Sequence, residues 1–529
     1  MTPSLRTSLW VWGCLGFFLL SRLPAVQCPF QLNVDEGQML AQAMRYEHHL
    51  TPWRAVDGET GGPVLSWVVL LSHEVGLPFN FRALHLLAAL CLAGTLLATY
   101  AAARGLVGGT AAAVGLGAGA WWLALAQDED FIHYSSELVP CLLISGALAA
   151  LVAPRRPDRG GDRLLLIGLL LGLVPWAKLQ AVPEALALGL WAMAEVGTDR
   201  AVPGPRRLRQ AAFLFAGAVL PSALMLAWVA RAGAWDQFYH SYLVANLSRA
   251  GAKSWVTYAE NALHLLFHQF GSPWFQDAAL LAIVALCLRG RAAWRALPRR
   301  AAGLAALLLA AALVAILSTL TQYPHYQQLC LVPLMLAIAC CAQVLVGDRS
   351  APEGLRLRSG WVILAVGLLP LPAFYFWHND GPHIVHETWH SQQSRVFEKQ
   401  RMIDSTVRQF AGHARSLAVW GWAPYLYVDL GLPPTTRAAG YASMNDGNPS
   451  QAFLREAFLR DLGAAPPDMI VDTEDYIVRG IRRTPPSTFP ALAGYLEENY
   501  QLVGRGTAAL GPDYSLLVDV YLRRLPVIP

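Results

Sequence analysis

The chain has 529 residues, 55% of them hydrophobic and 14% charged, with a mean hydropathy of +0.37. Soluble domains carry about 25% charged residues, so most of this chain belongs in lipid. A net charge of +4 is too small to argue for nucleic acid. Eight cysteines imply no disulfide framework, because all but Cys28 fall in apolar runs and Cys28 lies near a predicted surface.

A helix needs about 20 mostly apolar residues to cross the hydrocarbon. The first such run, 8–26, reads as an uncleaved span, since Ala25-Val26-Gln27 before Cys28 makes a poor cleavage site. An outward loop follows, and it opens with Asn33-Val34-Asp35-Glu36. Acids beside hydrocarbon are expensive to keep and read as functional. The same four residues also fit the start of an amphipathic helix running through Met39, Leu40 and Met44. Segments 36–50 and 63–77 are expected to be interfacial or re-entrant helices, because the apolar run 63–71 breaks at Ser72-His73-Glu74 and at Pro78. Further spans are predicted at 83–104, 107–126, 136–153, 163–177, 181–197, 211–230, 273–288, 301–320, 328–347 and 360–377, about eleven in all.

Arginines sort the loops. Arg104, then Arg155, Arg156, Arg159 and Arg163, and later clusters around 200–209, 289–300 and 349–358 occupy every second loop. The positive-inside rule makes those loops and the N-terminus cytoplasmic. Asp128-Glu129-Asp130, Lys178 and Tyr323-Pro324-His325-Tyr326 then face outward with Asp35. A full crossing at 63–77 would reverse this order. From His378 onward charged and turn residues return, with strand-like runs at 416–420, 469–471 and 514–520 and helical patterns at 394–410, 451–462 and 491–500. The expected architecture is a multi-span α-helical membrane domain over 1–377 and a small extracytoplasmic α/β domain over 378–529.

Asp35 has the chemistry of a general base, with Glu36 as its neighbour. Asp128, Glu129, Asp130, His133 and Glu137 form a second acidic cluster where a span begins. Acidic loops on one face can share a divalent cation through oxygen ligands, with Asp128 and Glu137 as metal candidates; solvated acids and a Ser135-Ser136-Glu137 cap are the alternatives. Lys178, at the tip of a hairpin between two short spans, offers the point charge that a phosphate takes, or snorkels at the interface. His325 and Tyr326 can hydrogen-bond a phosphate or sugar, although tyrosines also serve as belt aromatics. Arg54 and Asp57 in the first loop are weaker site candidates and read rather as surface residues. Of His378, His383, His386 and His390, the last three can share a helix face and bind zinc, or stand as lone interfacial histidines.

Several short motifs follow one another in order along nearly the whole chain. They are Asp35-Glu36, Tyr46, the Gly61-Gly62-Pro63 turn, Glu137 opening a span, Lys178 closing a hairpin, and Pro324-His325-Tyr326 before Pro333. Residues 419–427 (VWGWAPYLY), followed by Pro434-Thr435-Thr436-Arg437, open the outer domain. This order resembles the GT-C superfamily of integral membrane glycosyltransferases, in its protein-mannosyltransferase-like and aminoarabinose-transferase-like branches. The resemblance implies a polyprenyl-phosphate-linked sugar donor and an envelope glycan, lipid or protein as hydroxyl acceptor. It also implies an inverting single displacement with Asp35 as the catalytic group, on the periplasmic face of a bacterial inner membrane. Relatives often place Lys-Pro or Glu-Lys-Pro where this chain reads Thr60-Gly61-Gly62-Pro63, so that donor contact is missing, with Glu59 two positions away. A transporter or flippase would bury ionisable residues mid-span, whereas these spans are nearly free of charge. A non-catalytic assembly factor would leave Asp35-Glu36 and Lys178 unexplained.

Overall fold

Leucine- and alanine-rich runs with few charges fold as helices, because a helix satisfies its backbone hydrogen bonds internally wherever water is scarce. The computed structural model describes residues 3–154, 160–249, 290–319, 323–347, 381–412, 414–439, 449–473, 486–511 and 514–524, with a few isolated positions between them. Nine of the eleven expected spans coincide with helices; 273–288 and 360–377 lie outside the described residues but for positions 283, 376 and 377. Among the described residues, four helices are long and apolar enough to cross a membrane: Phe81–Val107, Gly204–Ala232, Arg299–Leu317 and Pro324–Val344. Leu5–Ser21, Gly109–Leu125 and Leu138–Val152 are shorter apolar helices.

The chain divides into two units, one made of 1–25, 88–224 and 250–386, the other of 26–87, 225–249 and 387–529. In the first unit, helices meet at small residues. Side chains added at Gly168 and Gly172, one turn apart on Gly160–Ala177, would run into the carbonyl oxygens of Leu214 and Ala218. That is the close backbone approach on which helix association in lipid relies. Gln328 braces the mouth of the same unit: its side chain accepts from the Ser135 hydroxyl at 3.0 Å and donates to the Asp130 carbonyl at 3.4 Å.

The second unit joins the first outer loop to the C-terminal segment. Short helices stand at both expected segments, as Val34–Tyr46 and Pro63–Glu74. At 13 and 12 residues they span only about 20 Å, too short to cross. The C-terminal segment carries a four-stranded sheet of order β1-β2-β4-β3, with β1 Leu417–Gly421, β2 Met469–Thr473, β3 Tyr500–Gly511 and β4 Tyr514–Arg523. β1 and β2 are parallel, and β4 runs antiparallel to both β2 and β3. Trp420, Phe458, Leu462, Ile470, Leu496 and Tyr500 fill its core beneath the Gln451–Ala464 and Pro490–Asn499 helices. Three of the strands fall on the predicted runs; β3 lies outside them. Cys28 is fully buried rather than near the surface, and all seven described cysteines are free thiols.

Candidate active site

In the first unit, Glu137 occupies the N-cap position of Leu138–Val152 without capping it. The carboxylate is fully buried and instead accepts from Ser136 at 3.3 Å and from the ammonium of Lys178. Lys178 reaches it because Gly160–Ala177 ends one residue earlier and the chain turns through Leu179–Ala181. Its ammonium also contacts the Ser136 hydroxyl and lies 5.0 Å from the centre of the Tyr326 ring. His325 stands against the same acid, with Nε2 3.9 Å from Glu137 Oε2, and its Nδ1 is 3.2 Å from Asp130 Oδ1. The His325 ring stacks on Tyr323 and meets Tyr326 edge-on. One end of this unit therefore gathers a lysine, two acids, an imidazole and a phenol from segments far apart in the chain.

Three consecutive acids precede this cluster and have different positions. Asp128 turns back to accept from the Asp130 backbone N–H at 2.9 Å, and burial pushes its carboxyl above the usual range. Glu129 is exposed on the short helix Glu129–Ile132. Asp130 points to His325 and, with His133 and His325, forms a group whose ligand atoms all lie within 4.8 Å of one another. His133 suits an ion: its Nδ1 is 2.8 Å from the Glu129 carbonyl oxygen, and its buried Nε2 has no hydrogen-bond partner among the described residues. A carbonyl that holds one ring nitrogen and leaves the other free is the usual support for a metal-bound histidine. Neither Asp128 nor Glu137 is in this group, and among the described residues the His383–His390 run does not form one.

In the second unit, Asp35 and Glu36 part ways. Asn33 caps Val34–Tyr46, its side chain accepting from Asp35 N at 3.1 Å. Glu36 completes the capping box: its Oε2 accepts from Leu32 N at 2.9 Å and Asn33 N at 3.4 Å. It also pairs with His85 Nε2 at 3.1 Å, and both side chains are fully buried. Asp35 is half-buried, and its carboxylate makes no hydrogen bond or ion pair among the described residues. The cap and the chemically available acid are thus adjacent residues. Gly37 lets this turn approach the C-terminal segment, since an added Cβ would lie 2.8 Å from the Tyr425 backbone nitrogen.

Asp57 is not a surface residue. It is 1% exposed, and burial pushes its carboxyl above the usual range although Gln237 and the Glu59 backbone N–H donate to it. Its backbone N–H donates to the Arg437 carbonyl at 2.7 Å. Arg437 grips Asp461 and donates to Gln237 Oε1 at 3.3 Å. Burial opposes that guanidinium's charge, but Asp461 outweighs it and holds Arg437 above its ordinary value. The network fixes the first loop on the C-terminal segment, while Arg54 stays exposed as expected.

No family model and no curated sequence matches the chain. Two solved structures of ArnT from Cupriavidus metallidurans do match in fold. The form bound to undecaprenyl phosphate is 14% identical, covers 98% of both chains and has a TM-score of 0.57. The apo form is 15% identical, covers 97% of this chain and 98% of its own, and has the same TM-score. The chain has the fold of these ArnT structures.

Within this fold the described structure brings Glu137, Lys178, His325 and Tyr326 into one cluster, and it places Asp35 and Glu36 together in the other unit. Sequence reasoning missed His85, although a lone histidine inside an apolar helix was a usable signal. It also passed over Asp130 and His133 as individuals, and Gln328 altogether. Nothing in the local sequence distinguishes Asp130 from Asp128; the short helix Glu129–Ile132 does, with Asp128 as its N-cap and Asp130 inside it.

Proposed function

We propose that this chain is a membrane glycosyltransferase that moves a sugar from a polyprenyl-phosphate-linked donor to a hydroxyl acceptor. The observation that carries the reading is the likeness to ArnT over 98% of both chains, in a structure of that protein bound to undecaprenyl phosphate. The Lys178 cluster supports it, because a lipid phosphate needs a cation and hydrogen-bond donors at the edge of the hydrocarbon. An ammonium has three donors. Ser136 and Glu137 take two of them, which leaves one N–H of Lys178 for a phosphate oxygen.

In this proposal Asp35 takes the proton of the acceptor hydroxyl as its oxygen attacks the anomeric carbon. The bond from that carbon to the phosphate oxygen breaks in the same step, which inverts the anomeric centre. Lys178, His325 and Tyr326 receive the departing phosphate, and Glu137 keeps the ammonium aimed and charged. Asp130, His133 and His325 are the residues that would hold a divalent cation, which when bound supplies positive charge near the phosphate. Glu36 serves by fixing the turn that presents Asp35. The acceptor is an envelope glycan, lipid or protein, and the reaction belongs on the periplasmic face of a bacterial inner membrane.

The test is to incubate the purified chain with candidate polyprenyl-phosphate sugars and a hydroxyl acceptor, and to follow released polyprenyl phosphate by mass spectrometry. Release that Asp35→Asn abolishes supports the reading. Movement of the glycolipid across a vesicle bilayer without release would replace it with a flippase.

A further inference from the structure

Arg22 closes the first apolar helix and is 2% exposed. Its Nη1 donates to the Ala126 carbonyl at 3.2 Å, and its guanidinium carbon lies 5.4 Å from the centre of the buried Phe18 ring. The other edge, Nε and Nη2, has no hydrogen-bond partner among the described residues. A buried guanidinium is costly unless it is paired and its N–H groups are satisfied. The Nε–Nη2 edge is the one this protein uses to bind two oxygens side by side: Arg300 grips Glu195 with it at 2.6 and 2.8 Å, and Arg505 grips Asp519 at 2.6 and 2.7 Å. At Arg22 the same fork is built into the protein and no carboxylate of the described residues fills it.

A plainer account makes Arg22 a C-terminal cap for Gly109–Leu125, since Ala126 directly follows that helix. That account uses one N–H. Capping arginines ordinarily leave the rest of the guanidinium in water, and this one is out of water. Gln127 already ties the two helix ends together, donating to the Ser21 carbonyl at 3.3 Å and the Ala124 carbonyl at 2.6 Å. The capping account therefore leaves the buried fork unexplained.

We infer that Arg22 is an anion site for a phosphate ester, bound side-on through Nε and Nη2. Phosphate matches the planar fork with two oxygens. The position, at the end of an apolar helix next to the loop that leads to Asp128, is where a lipid-borne phosphate would sit. The site does not need the transferase reading. The phosphate can come from a single-chain lipid phosphate or from the headgroup of a bilayer phospholipid.

The experiment uses the full-length chain in a sugar-based detergent, with Arg22→Met and Arg22→Lys. Native mass spectrometry counts bound dodecyl phosphate, and thermal unfolding is followed with and without it. The inference expects Arg22→Met to bind one dodecyl phosphate fewer, or to bind that one about tenfold or more weakly. It also expects the variant to unfold no earlier than the native chain when no phosphate ester is present, because a buried unpaired charge has been removed. Arg22→Lys should fall between. If phosphatidylglycerol nanodiscs rather than dodecyl phosphate produce the Arg22-dependent stabilisation, the headgroup is the ligand; inorganic phosphate alone would point to a free anion. Equal binding of all three probes by native and Arg22→Met chains, with the variant less stable, would reduce Arg22 to a cap and overturn the inference.

Discussion

Replacing Lys178 with methionine, Glu137 with glutamine, and both together separates what the pair does for the fold from what it does for chemistry. Glu137 is fully buried and the Lys178 side chain is 12% exposed, so neither charge can be rescued by water when its partner is lost. Breaking such a pair costs about 3–5 kcal/mol. Loss of the contact with the Tyr326 ring adds about 0.5–1 kcal/mol for the lysine variant. The double variant buries no charge, and the substituted amide can keep the Ser136 hydrogen bond, so the singles should over-count by about 2–4 kcal/mol. Unfolding free energies from titration with a denaturing detergent, on the full chain in mixed micelles, measure this coupling. Glycosyl transfer should behave differently: Lys178→Met loses it, and the double variant stays inactive because no cation faces the phosphate. Single-variant effects that add to within about 0.5 kcal/mol would refute the buried pair. Recovery of transfer in the double variant would refute the phosphate assignment.

Asp35→Asn should lower the transfer rate by about 100- to 10,000-fold with little change in thermal stability, whereas Glu36→Gln should destabilise by about 1–3 kcal/mol by disturbing the cap and the His85 pair. Kinetics and melting curves on the same preparations decide this. Metal analysis after incubation with zinc or manganese should find an ion that His133→Gln loses; equal metal content in both would remove Asp130, His133 and His325 as a site. Asp429 gives a pH test in the C-terminal segment, where burial, with Asp404 adding repulsion, pushes its carboxyl up to about 7. Unfolded aspartate titrates near about 3.9, so the folded state holds the extra proton between these values and stability falls as pH rises from about 4 to about 7. Melting points of the native chain should decline against Asp429→Asn across that window and run parallel above it.

Much of the helical architecture was legible because apolar runs are local signals. The helix at Val34–Tyr46 followed from the cap-like Asn33–Glu36 start, and the short one at Pro63–Glu74 from an apolar run broken at Ser72-His73-Glu74 and Pro78. β3 was not legible: Gly504, Gly506, Ala508 and Ala509 disfavour a strand, and it exists because β4 pairs with it. Asp57 read as a surface residue because what buries it, Gln237 and Arg437, lies 180 and 380 residues further along. For Asp35-Glu36 the sequence posed capping against catalysis as alternatives, and the structure divides them, with Glu36 in the capping box and Asp35 projecting. Glu137 and Lys178 were both singled out, but their pairing across 41 residues depends on how two helices meet.

The account stands most directly on both carboxylate-bearing segments opening to one aqueous compartment. His48→Cys and Glu129→Cys, each at an exposed position, can be labelled in intact cells with a membrane-impermeant maleimide, with the native chain as the control and its seven described thiols all buried. The account predicts that both positions label from the periplasmic side without permeabilisation. Labelling of one only after the inner membrane is opened would place them on opposite faces and leave the proposed reaction without a common centre.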